Sequence, residues 1–311
     1  MAHHVVVGAG PVGSTTARTF VERGDTVTVV TRRGIGPQHP AIRLERGDAT
    51  DATRLTELAT GAASIVNAVN PPYHRWATDW PPMHQGFMTA AQRSGAVLVM
   101  MDNLYAFGPD APMPMREDDP MRATGTKGSM RATMARELLD GHAAGRFRAT
   151  LARASDFFGP EVLGSMLGDR VMPKVLAGKK VSLLGAIDEP HDMSYMPDVA
   201  RTLVTIATDE RAWGHAWHVP NPTTLTQRDA VARLARAAGT TVAVSTVPWA
   251  MVRLAGLFVP MMRELQETRY QFDRPFVADS THTRQTFGLE ATSWDEAAAA
   301  TVAWWRARPA T

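Results

Sequence analysis

Val5-Val6-Val7-Gly8-Ala9-Gly10-Pro11-Val12-Gly13 decides the reading of this 311-residue chain. Three β-branched residues run directly into G-x-G-x-x-G. Ser14 to Arg23 continues with helical character, and Gly24-Asp25 makes the next turn. A strand that passes through glycines into a helix start has the context of a dinucleotide-binding βαβ unit. Gly8 permits a tight turn, Gly10 lets the backbone approach a pyrophosphate, and Gly13 lets the helix pack closely on the sheet. The phosphates are expected at the positive helix N-terminus, against Gly8, Gly10, Pro11, Val12 and Gly13.

The second apolar run, Val27 to Val30, ends in Thr31-Arg32-Arg33. An acid at this place would bind the ribose 2′-hydroxyl, whereas an arginine accommodates a 2′-phosphate. Guanidinium forks suit phosphate oxygens. Thr31, Arg32 and Arg33 therefore predict NADP(H) rather than NAD(H).

Strands alternate with helices beyond this unit, the signature of a parallel doubly wound sheet. Expected strands are His4 to Val7, Thr26 to Thr31, Ile42 to Glu45, Ser64 to Asn67, Val97 to Met101 and Ala149 to Ala154. Helices are expected at Asp51 to Ala59, His84 to Ser94 and Lys127 to Ala144, and later at Pro197 to Thr208, Thr226 to Ala238, Trp249 to Gly256, Arg263 to Tyr270 and Trp294 to Arg306. The pattern predicts an α/β protein: a Rossmann-like doubly wound parallel sheet with helices on both faces and a smaller mixed C-terminal substrate lobe. Residues 1–160, with a returning segment about 190–220, are expected to form the dinucleotide-binding domain. Residues 161–311 are expected to be mainly the substrate lobe.

Composition narrows the class. The hydrophobic fraction is 44%, the charged fraction 21% and the net charge +2, with no long basic run, so neither nucleic acid nor a membrane surface is an expected partner. The chain lacks cysteine, which removes disulfides, thiol nucleophiles and Cys-ligated metal. No secretory leader or spanning segment is recognisable, so a cytoplasmic location is expected. No metal site is expected; His215 and His218, three apart on an expected strand, face opposite sides. Glu117-Asp118-Asp119 reads as a solvated turn.

Five further stretches, in order, resemble the extended short-chain dehydrogenase/reductases, the NAD-dependent epimerase/dehydratase-like family. Gly47-Asp48-Ala49-Thr50-Asp51 is similar to its G-D-x-x-D, and Asn67-Ala68-Val69-Asn70 to the segment lining the cofactor ribose. Asn103-Leu104-Tyr105-Ala106-Phe107-Gly108 resembles its V-Y-G stretch. Arg153-Ala154-Ser155-Asp156-Phe157-Phe158-Gly159-Pro160 resembles R-x-x-x-x-Y-G-P, and Tyr195-Met196-Pro197-Asp198-Val199-Ala200 resembles H-V-x-D-V-A. The resemblance implies cofactor contacts at Asp48, Ala49, Ala68, Asn70 and Lys127.

The departures point to an atypical member. The family transfers protons with Tyr-x-x-x-Lys, yet none of the four tyrosines here precedes a lysine by four residues. Lys127 fits the lysine, but Ala123 stands at the tyrosine's place. Met101, a thioether without a proton to give, stands where a Ser or Thr is expected. Any proton must then come from another group, and Tyr105, Asp102 and Asn103 are the catalytic candidates beside Lys127. Asp102 could exchange a proton at neutral pH only if burial raised its pKa. Seven residues before Asp198, where sugar-nucleotide epimerases carry an Arg, this chain has His191. That disfavours a nucleotide sugar and favours a smaller or more apolar substrate.

Asn70 to Trp76 and Trp80-Pro81-Pro82 read as a stiff aromatic loop walling an apolar pocket. Tyr73, Trp76, Asp156, His191 and Tyr195 are the expected substrate contacts. The expected activity is NADP(H)-dependent oxidoreduction of a small, largely apolar carbonyl or related metabolite. A redox-neutral isomerase, lyase or cyclase, or a non-catalytic NADP(H)-sensing protein, are the alternatives. A homodimer through two helices, Lys127 to Ala144 and Val162 to Ala177, is a further expectation.

Overall fold

Alternation within single strands builds the two faces of the sheet. In β1 (His3–Val7), Val5 and Val7 pack into one apolar cluster with Ile65, Leu98, Phe87 and Leu138, whereas Val6 packs into the other with Val29, Val66, Phe20 and Leu203. Burial on both sides is why these strands read as continuous β-branched runs. The computed structural model of the protein describes residues 1–308.

Six strands follow the expected order: β1, β2 (Thr26–Thr31), β3 (Ile42–Arg46), β4 (Ser64–Asn67), β5 (Val97–Asn103) and β6 (Ala149–Ala154). A seventh, β7 (Ala216–His218), pairs in parallel with β6. Across the sheet the order is β7, β6, β5, β4, β1, β2, β3, with every pairing parallel. The direction of winding reverses between β1 and β4, and a crevice opens at such a reversal, beyond the carboxyl ends of the strands. Val7 lies level with Asn67, and Asn67 with Met100, so the segments leaving β1, β4 and β5 meet there.

Helix α1 (Pro11–Glu22) covers one face with α6 (Met196–Thr208), while α2 (Ala52–Ala59), α3 (Trp76–Ser94) and α4 (Thr126–Ala143) cover the other. The expected aromatic loop is largely helix: α3 begins at Trp76 and carries Pro81 and Pro82 inside it. Each proline removes a backbone bond at about 3 kcal/mol. Burying the Trp76 and Trp80 indoles, which expose 2% and 0%, returns roughly 4–6 kcal/mol apiece at 25 cal/mol per Å². Indole burial outweighs proline's helix-breaking. On α4, Met134, Ala135 and Leu138 are buried within the chain, so the apolar side proposed for dimer contact faces the core.

The C-terminal lobe has its own apolar cluster around Met172, Leu234 and Trp305. Three expectations change here. Of Val162 to Ala177 only α5 (Met172–Leu176) is helical; turns at Ser165 to Gly168 precede it. The expected helix Arg263 to Tyr270 is instead the link between two short helices, Pro260–Glu264 and Tyr270–Asp273. Glu117 is not fully solvated, since its carboxylate accepts from the His218 amide at 3.2 Å and Thr283 at 3.3 Å. No helix among the described residues is long and apolar enough to cross a membrane.

Candidate functional site

The glycine turn has a distinct reason for each glycine. Gly8 sits at φ +109°, where an added Cβ would also lie 2.7 Å from the Ala68 carbonyl oxygen. At Gly13 a Cβ would lie 2.0 Å from the Gly8 carbonyl oxygen, so helix and strand touch backbone to backbone. Gly10 is different: its φ is −72° and nothing stands within 4 Å of its Cβ position. No side chain caps α1 at Gly10, and Pro11 opens the helix, so first-turn amides keep free hydrogen-bonding capacity. A recess of about 950 Å³ lies here, lined by Gly10, Ser14, Arg18, Thr31, Arg32 and Arg33 among others.

Thr31 fixes the turn after β2, its hydroxyl donating to the Ile35 carbonyl at 3.0 Å. Arg32 and Arg33 are exposed on it, while nearby Glu45 is committed to Arg54 at 2.8 Å. Asp48 accepts from the Thr50 amide at 2.9 Å and its hydroxyl at 2.8 Å, which holds its carboxyl below the ordinary range. Ala49 is buried, with its carbonyl against Gly86 of α3.

A second cavity, of about 200 Å³, joins this turn to the interior. Val12, Ala68 and Asn70 line one part; Tyr73, Trp76, Asp102, Asn103, Tyr105 and Asp156 also contribute. The phenolic oxygens of Tyr73 and Tyr105 are 2.6 Å apart, and Gln271 Nε2 donates to the Tyr105 oxygen at 3.3 Å. Asn103 Oδ1 accepts from the Tyr105 amide at 3.0 Å, fixing the turn that delivers this phenol. Burial pushes the Tyr73 phenol up to about 12 and the Tyr105 phenol well above its ordinary value, so both stay protonated at neutral pH.

Asp102 lies between two buried guanidiniums, Arg131 at 3.4 Å and Arg153 at 3.5 Å. It balances charge there. Lys127 is 3% exposed and outside the cavity lining; its ammonium is held by Glu264 and, at 3.1 Å, by Glu267. Glu267 also accepts from the Lys127 amide at 2.5 Å. His191 pairs with Asp156 at 2.8 Å and is 2% exposed. Tyr195 packs on Phe158 with its ring under Gly159. Asp156 thus lines the cavity while His191 and Tyr195 stand behind it. Met101 lines the cavity, and Ala123 donates its amide to the Ala106 carbonyl at 3.1 Å, in a bend with no room for a larger neighbour at Gly108 or Gly128.

Five cavity residues carried no expectation of a site role: Arg131, Gly164, Ser165, Gln271 and Phe276. Arg131 is four residues after Lys127 on α4, a spacing that places both on one helix face. Gln271 and Phe276 arrive from the lobe, and no local pattern marked them. Among the described residues no group of three His, Asp or Glu side chains is arranged to hold a metal ion.

A glycine turn at the reversal of a doubly wound sheet, with a cavity beneath it, defines a dinucleotide-type α/β fold. The model of the NAD dependent epimerase/dehydratase family matches residues 4–219, and the chain belongs to that family. The sequence matches no curated protein. Among solved structures it is similar to dTDP-glucose 4,6-dehydratase from Bacillus anthracis in complex with NAD, at TM-score 0.79 and 14% identity, covering 99% of this chain and 98% of that one. An epimerase from Methanothermobacter thermautotrophicus matches at TM-score 0.82 and 16% identity, covering 98% and 92%. UDP-N-acetylglucosamine 4-epimerase from Bacillus cereus matches at 0.77 and 13%, covering 100% and 99%. At these identities the likeness concerns the fold, that of the extended short-chain dehydrogenase/reductases.

Proposed function

We propose that the protein is an NADP(H)-dependent oxidoreductase acting on a small, largely apolar carbonyl compound or related metabolite. The observation that carries this reading is one cavity lined both by the glycine-turn side (Val12, Ala68, Asn70) and by the hydrogen-bonded phenols of Tyr73 and Tyr105.

The residues fit a dinucleotide. The open space at Gly10 and the uncapped N-terminus of α1 suit a pyrophosphate. The dehydratase from B. anthracis was solved with NAD, but Arg32 and Arg33 stand here where an acid would serve the 2′-hydroxyl. Gly8, Gly10, Pro11, Val12 and Gly13 would hold the phosphates, Arg32 and Arg33 the 2′-phosphate, and Ala68 and Asn70 the nicotinamide side. When bound, NADP(H) supplies or accepts the hydride.

The protein's part is the proton. Tyr105, a neutral phenol, donates to the carbonyl oxygen as charge develops there, Tyr73 passes its proton to Tyr105 along their shared hydrogen bond, and the half-buried Tyr73 is reprotonated from water. Gln271 orients the Tyr105 oxygen. Held protonated at neutral pH, the Tyr105 phenol is in the state that carbonyl reduction requires. Trp76, Phe157 and Phe276 wall the cavity and limit water. The similar dehydratases and epimerases are named for nucleotide sugars. A 200 Å³ cavity with His191 turned to Asp156 suits something smaller.

The hold of Glu264 and Glu267 on Lys127 favours one second reading, a non-catalytic NADP(H)-sensing protein. NADPH absorbance followed with a panel of small aldehydes and ketones separates the two. Consumption with any panel member supports the enzyme, and tight NADPH binding without consumption supports the sensor.

A further inference from the structure

We propose that Arg131 is an anion-recognition residue and that the carbonyl substrate carries a carboxylate. This rests on the reading of the cavity as the substrate site and names its substrate class. Arg131 lines that cavity, yet its residue exposure is only 5%. Its guanidinium sits in the corner of two indoles that meet edge to face at 86°, 4.5 Å from the Trp76 centroid and 4.3 Å from that of Trp80.

Its hydrogen bonding is incomplete. Nε has no partner, and the contact with Asp102 is 3.4 Å, beyond the roughly 2.7–2.9 Å of a charge-assisted bond. Asp102 is also shared with Arg153 at 3.5 Å, so one carboxylate faces two buried guanidiniums. Both Asp102 oxygens are also without a hydrogen bond, so Arg131 is opposed in charge but not bonded, and a ligand that brings two oxygens in a plane supplies the missing bonds. A carboxylate does so in the fork geometry of arginine. A phosphate dianion fits less well, because Asp102 and Asp156 line the same cavity and repel a second charge. The aromatic walls of Tyr73, Trp76 and Phe276 complete a place for a small apolar body bearing one carboxylate.

The test compares benzoate with its neutral isostere benzamide, binding to the full chain with and without NADP+, by titration calorimetry and tryptophan fluorescence. Benzoate is expected to bind at least tenfold more tightly. Arg131→Lys, which keeps the charge but loses the fork, is expected to weaken benzoate about tenfold, and Arg131→Gln to abolish the preference while leaving benzamide unchanged. Equal binding of the two probes to the unmodified protein, or binding of neither, overturns the proposal without relying on a variant that must fold. A preference that survives Arg131→Gln overturns it equally. Neither probe is reduced, so failure here is distinct from failure to consume NADPH on any carbonyl.

Discussion

Tyr73 and Tyr105 share a hydrogen bond of 2.6 Å, although 32 residues separate them in sequence. One phenol comes from the turn before α3 and the other from the turn after β5. If this pair handles the proton, Tyr105→Phe is expected to lower kcat for carbonyl reduction by about 10²–10³-fold with NADPH affinity unchanged. Tyr73→Phe, which removes only the relay, is expected to cost less. Because burial lifts both phenols, the wild-type rate is expected to show no loss from phenol ionisation between pH 7 and 9. A Tyr105→Phe variant with undiminished turnover moves the proton donor elsewhere.

The glycines separate folding from binding. Gly10→Ala meets nothing within 4 Å and keeps an ordinary φ, so its unfolding midpoint is expected to stay at the wild-type value while NADPH affinity falls at least tenfold. Gly13→Ala presses on the Gly8 carbonyl and is expected to lose about 3 kcal/mol of stability. Urea unfolding of both variants beside the NADPH titration checks this; equal destabilisation of the two contradicts it.

Lys127 is expected to matter to stability before activity. Lys127→Met leaves Glu264 and Glu267 facing each other without their cation, at about 2–3 kcal/mol, discounted for their partial exposure. Adding Glu264→Gln and Glu267→Gln to that variant is expected to recover most of the loss. An unchanged midpoint for Lys127→Met would show the cluster to be loosely held.

Acid is expected to weaken the fold well above the carboxylate range. Burial lowers His4 and His84 to about 4 and His218 to about 3, while the unfolded histidine stays near 6.5. Above pH 6.5 both states are neutral and the stability is complete. As pH falls from 6.5 toward 4 the unfolded chain takes up protons that the native state refuses. Each histidine then removes about 1.4 kcal/mol per pH unit. Asp192 and Asp198, raised by burial, act in the opposite sense just above the ordinary carboxylate value. Urea midpoints at pH 7.5 and 5.5 should differ accordingly, with the lower pH weaker.

The sheet was legible because both its faces are buried, so β1, β2 and β4 spell themselves in β-branched residues. The glycine turn was legible because steric demand at Gly8 and Gly13 admits nothing else. The first two turns of α3 were hidden by Pro81 and Pro82, whose local preference yields to the burial of two indoles. Residues 162–171, expected to open a helix, form turns instead. The cavity was half legible. Asp102 lies at the carboxyl end of β5 and Tyr105 just beyond it, where ligands gather in such sheets. Arg131 is a long-range product: a helix face, two indoles and an aspartate from β5 meet only after folding.

The most direct test of the central claim is a titration of the purified protein with NADPH and with NADH, followed by fluorescence. NADPH is expected to bind at least tenfold more tightly than NADH, with the preference lost in Arg32→Ala and Arg33→Ala. Equal affinity for the two cofactors would contradict the NADP(H) assignment. Binding of neither would leave the glycine turn as a feature of the fold alone and remove the oxidoreductase reading with it.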